Sequence, residues 1–574
     1  NLSEIVLDNT STLRLAGDAT LNDSAALSIY SLELEDFALT LDDAMAGLSV
    51  SGAVTLDAAT EQINSGAADL SLNGGINVSA GTLSSSGGTV FSSSLSAGAT
   101  GIINIEGGTL TLPAGATAVS GGTFTTSGTT IQLGGSLNVA DTWTSTEQTS
   151  GASTNLSLTA DSELSSTAAV ELATLVTNGF NFKLASETTD LTISAGLTIN
   201  ASSEQNTGVG TGSADLTLNG PLTVLGGGIS SSGGTLTFGP ASGTTSFVEN
   251  TGMELEDTTL VLQTNISLNY LKLSGTSTIQ TNANTLSPIF LEIATDSELD
   301  LTNIVNSETG IDLAGDSSIT NTGDLLIKYI SVGGFSLTLN PAITSLTARH
   351  IWIPNDYDSN RPNYMSTTGK FQAQGVNVTL TKPLWLVKGK LEMGGGTLTL
   401  EQGGEVSDGG ELDLTNSTLE LSGPFYNSRG TGTLTTSAST LSLKSNVKFE
   451  PGNNVAFDTY EPNGWGMVLH NDAEESTVTT NLTLGAAGAD LTIEPNTESL
   501  TSGFVNYYSN EDGPVLDTNS HGIGVKSYGV GFSINGNLTL KNNALISVYN
   551  KNISLANLNL ESGNVELNNS GASL

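Results

Sequence analysis

The chain has no cysteine, only 13 prolines in 574 residues, 5% aromatic residues and just 16 Lys plus Arg. Each scarcity excludes something. Without Cys there are no disulfide staples and no thiolate metal sites, so stability must come from a large core or from many backbone hydrogen bonds. With few aromatics, that core must be built from Leu, Ile, Val and Ala. The 16 basic residues stand against 57 acidic ones, a formal charge of −41. This excludes nucleic acid as a partner, because phosphate binding needs Lys and Arg to displace counterions. Anionic lipid headgroups are disfavoured for the same reason. No apolar run approaches the ~20 residues of a membrane-spanning helix. Walker-type, dinucleotide-binding and zinc-ligand patterns are missing as well. The chain starts at Asn1 without Met or a signal peptide, as expected of a processed product or a piece of something longer.

What is present is Gly (67 residues), Ser, Thr and Asn, with aliphatic residues alternating against small polar ones along the whole length. Disordered chains share the composition but not the alternation. The alternation is also repeated. Thr12–Leu41 matches Asn155–Leu184 without a gap at an offset of 143, pairing Leu13 with Leu156, Leu21 with Leu164 and Phe37 with Phe180. A third copy begins at Ile311, with Ile319 and Phe335 at equivalent places. A second anchor block recurs at Ala68–Phe91, Ala214–Phe238 and Val376–Leu400, with a shorter version from Phe532. The repeats divide the chain into 1–153, 154–308, 309–459 and a divergent, truncated 460–574, which suggests an array that continues beyond Leu574. Periods of this kind mark quasi-one-dimensional proteins whose units stack only on their neighbours.

Within each copy, triplets such as Leu216-Thr217-Leu218, Leu222-Thr223-Val224 and Leu236-Thr237-Phe238 are separated by Asn-Gly or Gly-Gly. Period two puts Leu216 and Leu218 on one face and Thr217 on the other, and Gly and Asn supply the corners. Leu216 to Leu236 spans about three strands, one coil of a three-sided parallel β-helix. The fold expected is all-β: a right-handed parallel β-solenoid, a single elongated rod of about 25 coils at the ~4.8 Å inter-strand spacing. Helix is not expected. A sandwich array would show longer strands and a core Trp in each module.

The GGTLTL strings at Gly107–Leu112, Gly233–Phe238 and Gly395–Leu400 resemble the strand repeats of bacterial autotransporter passengers and haemagglutinin-type adhesins. The resemblance implies an exported solenoid that projects from the bacterial cell surface and serves adhesion, aggregation or matrix formation. The C-terminal membrane barrel of such proteins is not in this sequence.

Differences between copies point to function. Where copies 1 and 2 have short links, copy 3 carries an insertion from Arg349 and copy 4 another from Thr497. Side loops are therefore expected at 354–374 and 497–531, and insertions of this kind are often binding surfaces. From Arg349 onward lie 17 of the 30 aromatics, 12 of the 16 Lys and Arg, and all three His. Trp352, Tyr357, Arg361, Tyr364, Phe504, Tyr507, Tyr508, His521 and Tyr528 are the candidate partner-contact residues, since Trp, Tyr and Arg dominate interface hot spots. The competing reading is that such loops pack their own aromatics onto the rod. The expected partners are further copies of the chain, other cell-surface components or glycans.

Catalysis is not expected. Ser520-His521-Gly522-Ile523-Gly524 looks like the His-Gly-Ile element of polygalacturonases, but the paired aspartates that chemistry needs have no counterpart here. No cofactor is expected either. Calcium is considered only for Asp356-Tyr357-Asp358-Ser359-Asn360, an opening that an EF-hand would continue with Gly and Glu where this chain has Arg361 and Thr367. The alternative class is a carbohydrate-binding or polysaccharide-cleaving β-helix, including the phage tail-spike type. It would show opposed carboxylates beside aromatics.

Overall fold

Alternation at period two is realised throughout the computed structural model. It describes residues 8, 10–139, 143–144, 154–200, 208–240, 246–248, 251–294, 297–304, 306–353, 369–407, 409–427, 432–445, 447–450, 455–461, 463, 465, 467–469, 480–484, 491–493, 522–525, 530–540, 545–549, 553–560 and 564–568. Two compact units form, Asn1–Pro288 and Ile289–Leu574. Each is an all-β solenoid of stacked parallel strands, and the described residues contain no helix.

In the first unit the chain visits three ladders in turn. One runs through Ala38–Leu41, Gln62–Asn64, Thr82–Ser85, Ile102–Glu106 and Thr123–Ser127. The second runs through Gly47–Val50, Asp69–Leu72, Thr89–Ser92, Thr109–Leu112 and Thr130–Leu133. The third runs through Val54–Leu56, Ile76–Val78, Leu95–Ala97, Thr117–Ser120 and Ser136–Asn138. The expected coil is realised further along, where Leu216 lies over Leu236 and Leu218 over Phe238.

Register gives identical chemistry in columns. Leu39, Ile63, Leu83, Ile103 and Phe124 stack inward, none more than 1% exposed. Burying each such side chain is worth roughly 1.5–3 kcal/mol. Thr40, Asn64, Ser84, Asn104 and Thr125 stack outward from the same strands. Outward hydroxyls and amides bond across coils: Ser96 Oγ donates to Asn77 Oδ1 at 2.9 Å and Thr111 Oγ1 to Gln132 Oε1 at 3.1 Å. At the corners both glycines of each GGTLTL string have positive φ. Space as well as conformation requires glycine there. A Cβ on Gly396 would meet the Gly375 carbonyl oxygen at 2.5 Å, and one on Gly108 would clash with the Gly88 carbonyl.

A second inter-coil contact recurs in both units. An Asp or Asn at the start of a strand accepts the backbone N–H found twenty residues later, one coil on. Asp18 does so for Ala38, Asp69 for Thr89, Asp161 for Asn181, Asp215 for Thr235 and Asp316 for Ser336, at 2.6–2.9 Å. Asn265 and Asn377 do the same for Thr285 and Thr397. Part of the acidity is therefore structural, since a carboxylate aimed at a backbone N–H forms a charge-assisted bond.

Both units depart from the wholly aliphatic core that composition implied; in the first, Phe124, Phe182 and Phe238 are buried. Phe371, Phe425, Phe449 and Phe457 are fully buried and Tyr460 nearly so. Phe425 and Phe449 stack with ring centroids 5.5 Å apart, and Phe457 meets Phe449 edge-on at 6.3 Å. Several of the late aromatics are thus core residues. The coil that includes the expected loop 354–374 advances 34 residues between Thr338 and Gln372, whose side chains share a hydrogen bond. Its last residues form the strand Lys370–Gln372 between Ser336–Leu339 and Lys390–Glu392. Within 497–531, Gly522–Val525 is a strand between Met467–Leu469 and Leu545–Tyr549.

Two outcomes follow. Leu83→Ala should destabilise the chain by about 2–5 kcal/mol, whereas Ser84→Ala, its outward neighbour, should stay within about 0.5 kcal/mol; urea unfolding midpoints would compare them, and equal effects would contradict the inward–outward assignment. Asp257 accepts the N–H and hydroxyl of Thr276 at 2.8 and 2.9 Å, and the backbone bond first, then the hydroxyl, holds its carboxyl below the usual range. Its contribution is full above the unfolded value near 4 and is lost as pH falls through the lower folded value. Asp257→Asn, which keeps the acceptor as Asn265 and Asn377 do, should remove that acid sensitivity while retaining neutral-pH stability; Asp257→Ala should lose both.

Candidate functional site

Exposed apolar side chains interrupt the polar outward pattern at a few places, and in the second unit one of them is a tryptophan. In strand Leu384–Val387 the inward Leu384 and Leu386 are fully buried, so period two sends Trp385 outward, where it is 65% exposed. The register stacks it between Trp352 of Ile343–Ile353 and Glu405 of Gly404–Ser407, with Tyr426 of Phe425–Tyr426 next in the column. Glu405 and Tyr426 are half-buried. Lys448 Nζ lies 4.9 Å from the Tyr426 ring centroid, a cation–π contact. The strip therefore offers, coil by coil, the Trp385 ring, the Glu405 carboxylate and the Tyr426 ring at the ~4.8 Å stacking interval.

The local charge also differs from that at the ion-paired basic residues described elsewhere. Arg14, Lys183, Lys328, Arg349, Lys370, Lys390 and Lys444 all lie within 4.0 Å of a carboxylate. Lys382 and Lys388 are exposed and have no ion pair among the described residues, and they frame Trp385 at the two ends of its strand. His350 sits nearby; burial, then the charges of Lys382 and Arg349, hold its imidazole below the ordinary range.

The internal repeat provides a control. Aligned on the second anchor block, Trp385 occupies the place of Asn77 and Thr223, Lys382 that of Gly74 and Gly220, and Lys388 that of Ala80 and Gly226. The equivalent strands Ile76–Val78 and Leu222–Gly226 form without any of the three. Lys388 also has φ of 58°, a left-handed conformation costing an L-residue roughly 1–2 kcal/mol. The scaffold requires neither the ring nor the two cations, and it tolerates strain to carry one of them.

The adjoining face of the same unit is a closed ion lattice. Glu392 contacts Lys370 Nζ at 2.8 Å and Lys390 Nζ at 2.7 Å and accepts from Gln372 Nε2 at 2.9 Å; Lys390 also reaches Asp413 at 3.3 Å. Partial burial opposes ionisation of Glu392, but the bonds from Lys370, Lys390 and Gln372 together pull its pKa down to about 2. Every charge here has a partner, so the lattice ties three coils together and presents no free group. In the first unit, a polar groove of about 360 Å³ beside Ser230, Glu254, Glu256 and Lys272 mixes both charge signs and has no aromatic lining.

Of the candidates read from sequence, Trp352 lies on the strip by backbone register. Tyr357, Arg361, Tyr364, Phe504, Tyr507, Tyr508, His521 and Tyr528, with the 356–360 run considered for calcium, lie outside the described residues. Among the described residues no three His, Asp or Glu gather as a metal site, and no helix is long and apolar enough to cross a membrane. Trp385 was missed because it falls inside a repeat rather than in an insertion. The signal was there: Leu-Trp-Leu carries the ring at the outward position of an alternating strand. No family model, curated protein or solved structure matches the chain.

The lattice has a measurable consequence. Glu392 stabilises the fold above its unfolded value near 4.3, and that contribution is lost as pH falls towards about 2. Glu392→Gln should lower stability at pH 7 by about 1 kcal/mol, at the upper end for exposed pairs. Parent and variant urea midpoints should converge at acid pH; a constant gap would deny the carboxylate this role.

Proposed function

We propose that the chain is an extracellular structural or adhesive β-solenoid, a filament, sheath, stalk or adhesin component of a bacterial cell surface, without a catalytic task. The carrying observation is in-register parallel stacking in both units, with aliphatic columns inside and Ser, Thr and Asn ladders outside. Such stacking yields a stiff scaffold in which one face can be altered without disturbing the core. The altered face at Trp385 and the two expected insertions are the places for partner contacts. The strand style shared with autotransporter passengers and haemagglutinin-type adhesins supports the same reading. Strong acidity fits it too, because like charge keeps such scaffolds soluble until a specific contact forms.

Electron microscopy of the purified chain, with a whole-cell binding assay, tests this. Regular end-to-end or side-by-side assemblies, or attachment to cells, are expected. Dispersed particles that neither assemble nor attach, and that shorten a polysaccharide, would overturn it.

A further inference from the structure

We propose that the strip centred on Trp385, framed by Lys382 and Lys388 and continued by Glu405 and Tyr426, binds an acidic saccharide, a sugar chain bearing carboxylate groups. This rests on the adhesive reading above and names the ligand class for its exposed face.

The chemistry of the strip selects the ligand. An exposed indole presents a flat, apolar and electron-rich face, on which the C–H face of a pyranose ring packs. Tyr426 supplies a second ring two coils on, roughly 10 Å along the column. Glu405 stands between the two rings in the column by register. Lys382 and Lys388, exposed and without ion pairs among the described residues, flank Trp385 along its strand and would meet anionic groups of a sugar chain laid across it. A neutral glycan would leave both lysines without a role.

Size and charge argue against a protein occupant. Four coils at ~4.8 Å by a strand about 13 Å long give an area on the order of 200 Å². A stable protein interface needs about 800 Å² per partner. A second copy of the chain brings a further −41 charge, and two lysines do not offset repulsion between two acidic molecules over their remaining surfaces. A short saccharide meets only the local field, since charges beyond about 8 Å are screened at physiological salt.

The other copies supply variants that the fold already accepts: Trp385→Thr, Lys382→Gly and Lys388→Gly restore residues found at the same places in the second copy. Isothermal titration of the full chain with a short oligogalacturonate, and with an uncharged cello-oligosaccharide of equal length, tests the proposal. The parent should prefer the oligogalacturonate, and added salt should reduce that preference. Trp385→Thr should weaken binding by about tenfold or more, and the double lysine variant should abolish the preference for the acidic sugar. Lys388→Gly should melt no lower than the parent while binding less well, which a merely structural lysine would not do. No binding, equal binding of both sugars, or binding indifferent to Trp385→Thr would each overturn the proposal. So would self-association abolished by Trp385→Thr with no sugar bound, which would assign the strip to a second copy. Assemblies or cell attachment that persist in Trp385→Thr, with no saccharide bound by the parent, would overturn this inference and leave the structural reading standing.

Discussion

Backbone hydrogen bonding between each coil and the next, recurring about every twenty residues, is the constraint to which the rest of the structure answers. A parallel ladder holds residues of successive coils in fixed register. One choice of side chain is therefore multiplied into a column, and one error would be stacked against its neighbours. Leu39 over Ile63 over Leu83 over Ile103 is a core made by that rule. Glycine at the corners answers the same rule, because adjacent turns bring backbone against backbone, as Gly396 does against Gly375. The aspartates that accept the N–H one coil away answer it too, closing donors that the strand ladders leave open. A chain with no disulfide and 5% aromatics can afford its thin core because almost every coil contributes the same set of bonds.

This regularity explains what could be read from the sequence. Leu216-Thr217-Leu218 states its own orientation, since period two is the geometry of a strand, and Leu236 falls where the coil closes on Leu216. The parallel solenoid was legible for that reason. The aromatic share of the core was not. Phe371, Phe425 and Phe449 occupy inward positions that Leu fills elsewhere, and composition averaged over the whole chain hides a local exchange of Leu for Phe. The inter-coil aspartate contacts were invisible for another reason: donor and acceptor are twenty residues apart and carry no local motif, so their charges read as a solvated surface.

Trp385 lies between these cases. Insertions attract notice because they interrupt the repeat, yet an outward strand position changes chemistry without changing length. On a solenoid the outward column is the cheapest place to vary, since its neighbours are solvent and the residues one coil away. Replacing Asn77 or Thr223 by Trp385 leaves the inward pair Leu384 and Leu386 buried as before. The repeat itself then separates what folding needs from what it merely permits.

Electrostatics sharpen that separation. In a chain of −41, a cation finds a carboxylate almost anywhere, and most described lysines and arginines have done so, in the Glu392 lattice most completely. An unpaired lysine is therefore the less expected state. Two lysines without an ion pair among the described residues bracket the exposed Trp385, one of them in a left-handed backbone conformation. Stability alone would favour glycine there, by removing strain, or a neighbouring carboxylate, by pairing the charge. Neither is present at Lys388 among the described residues, and that is the ground on which an external ligand is proposed for the strip.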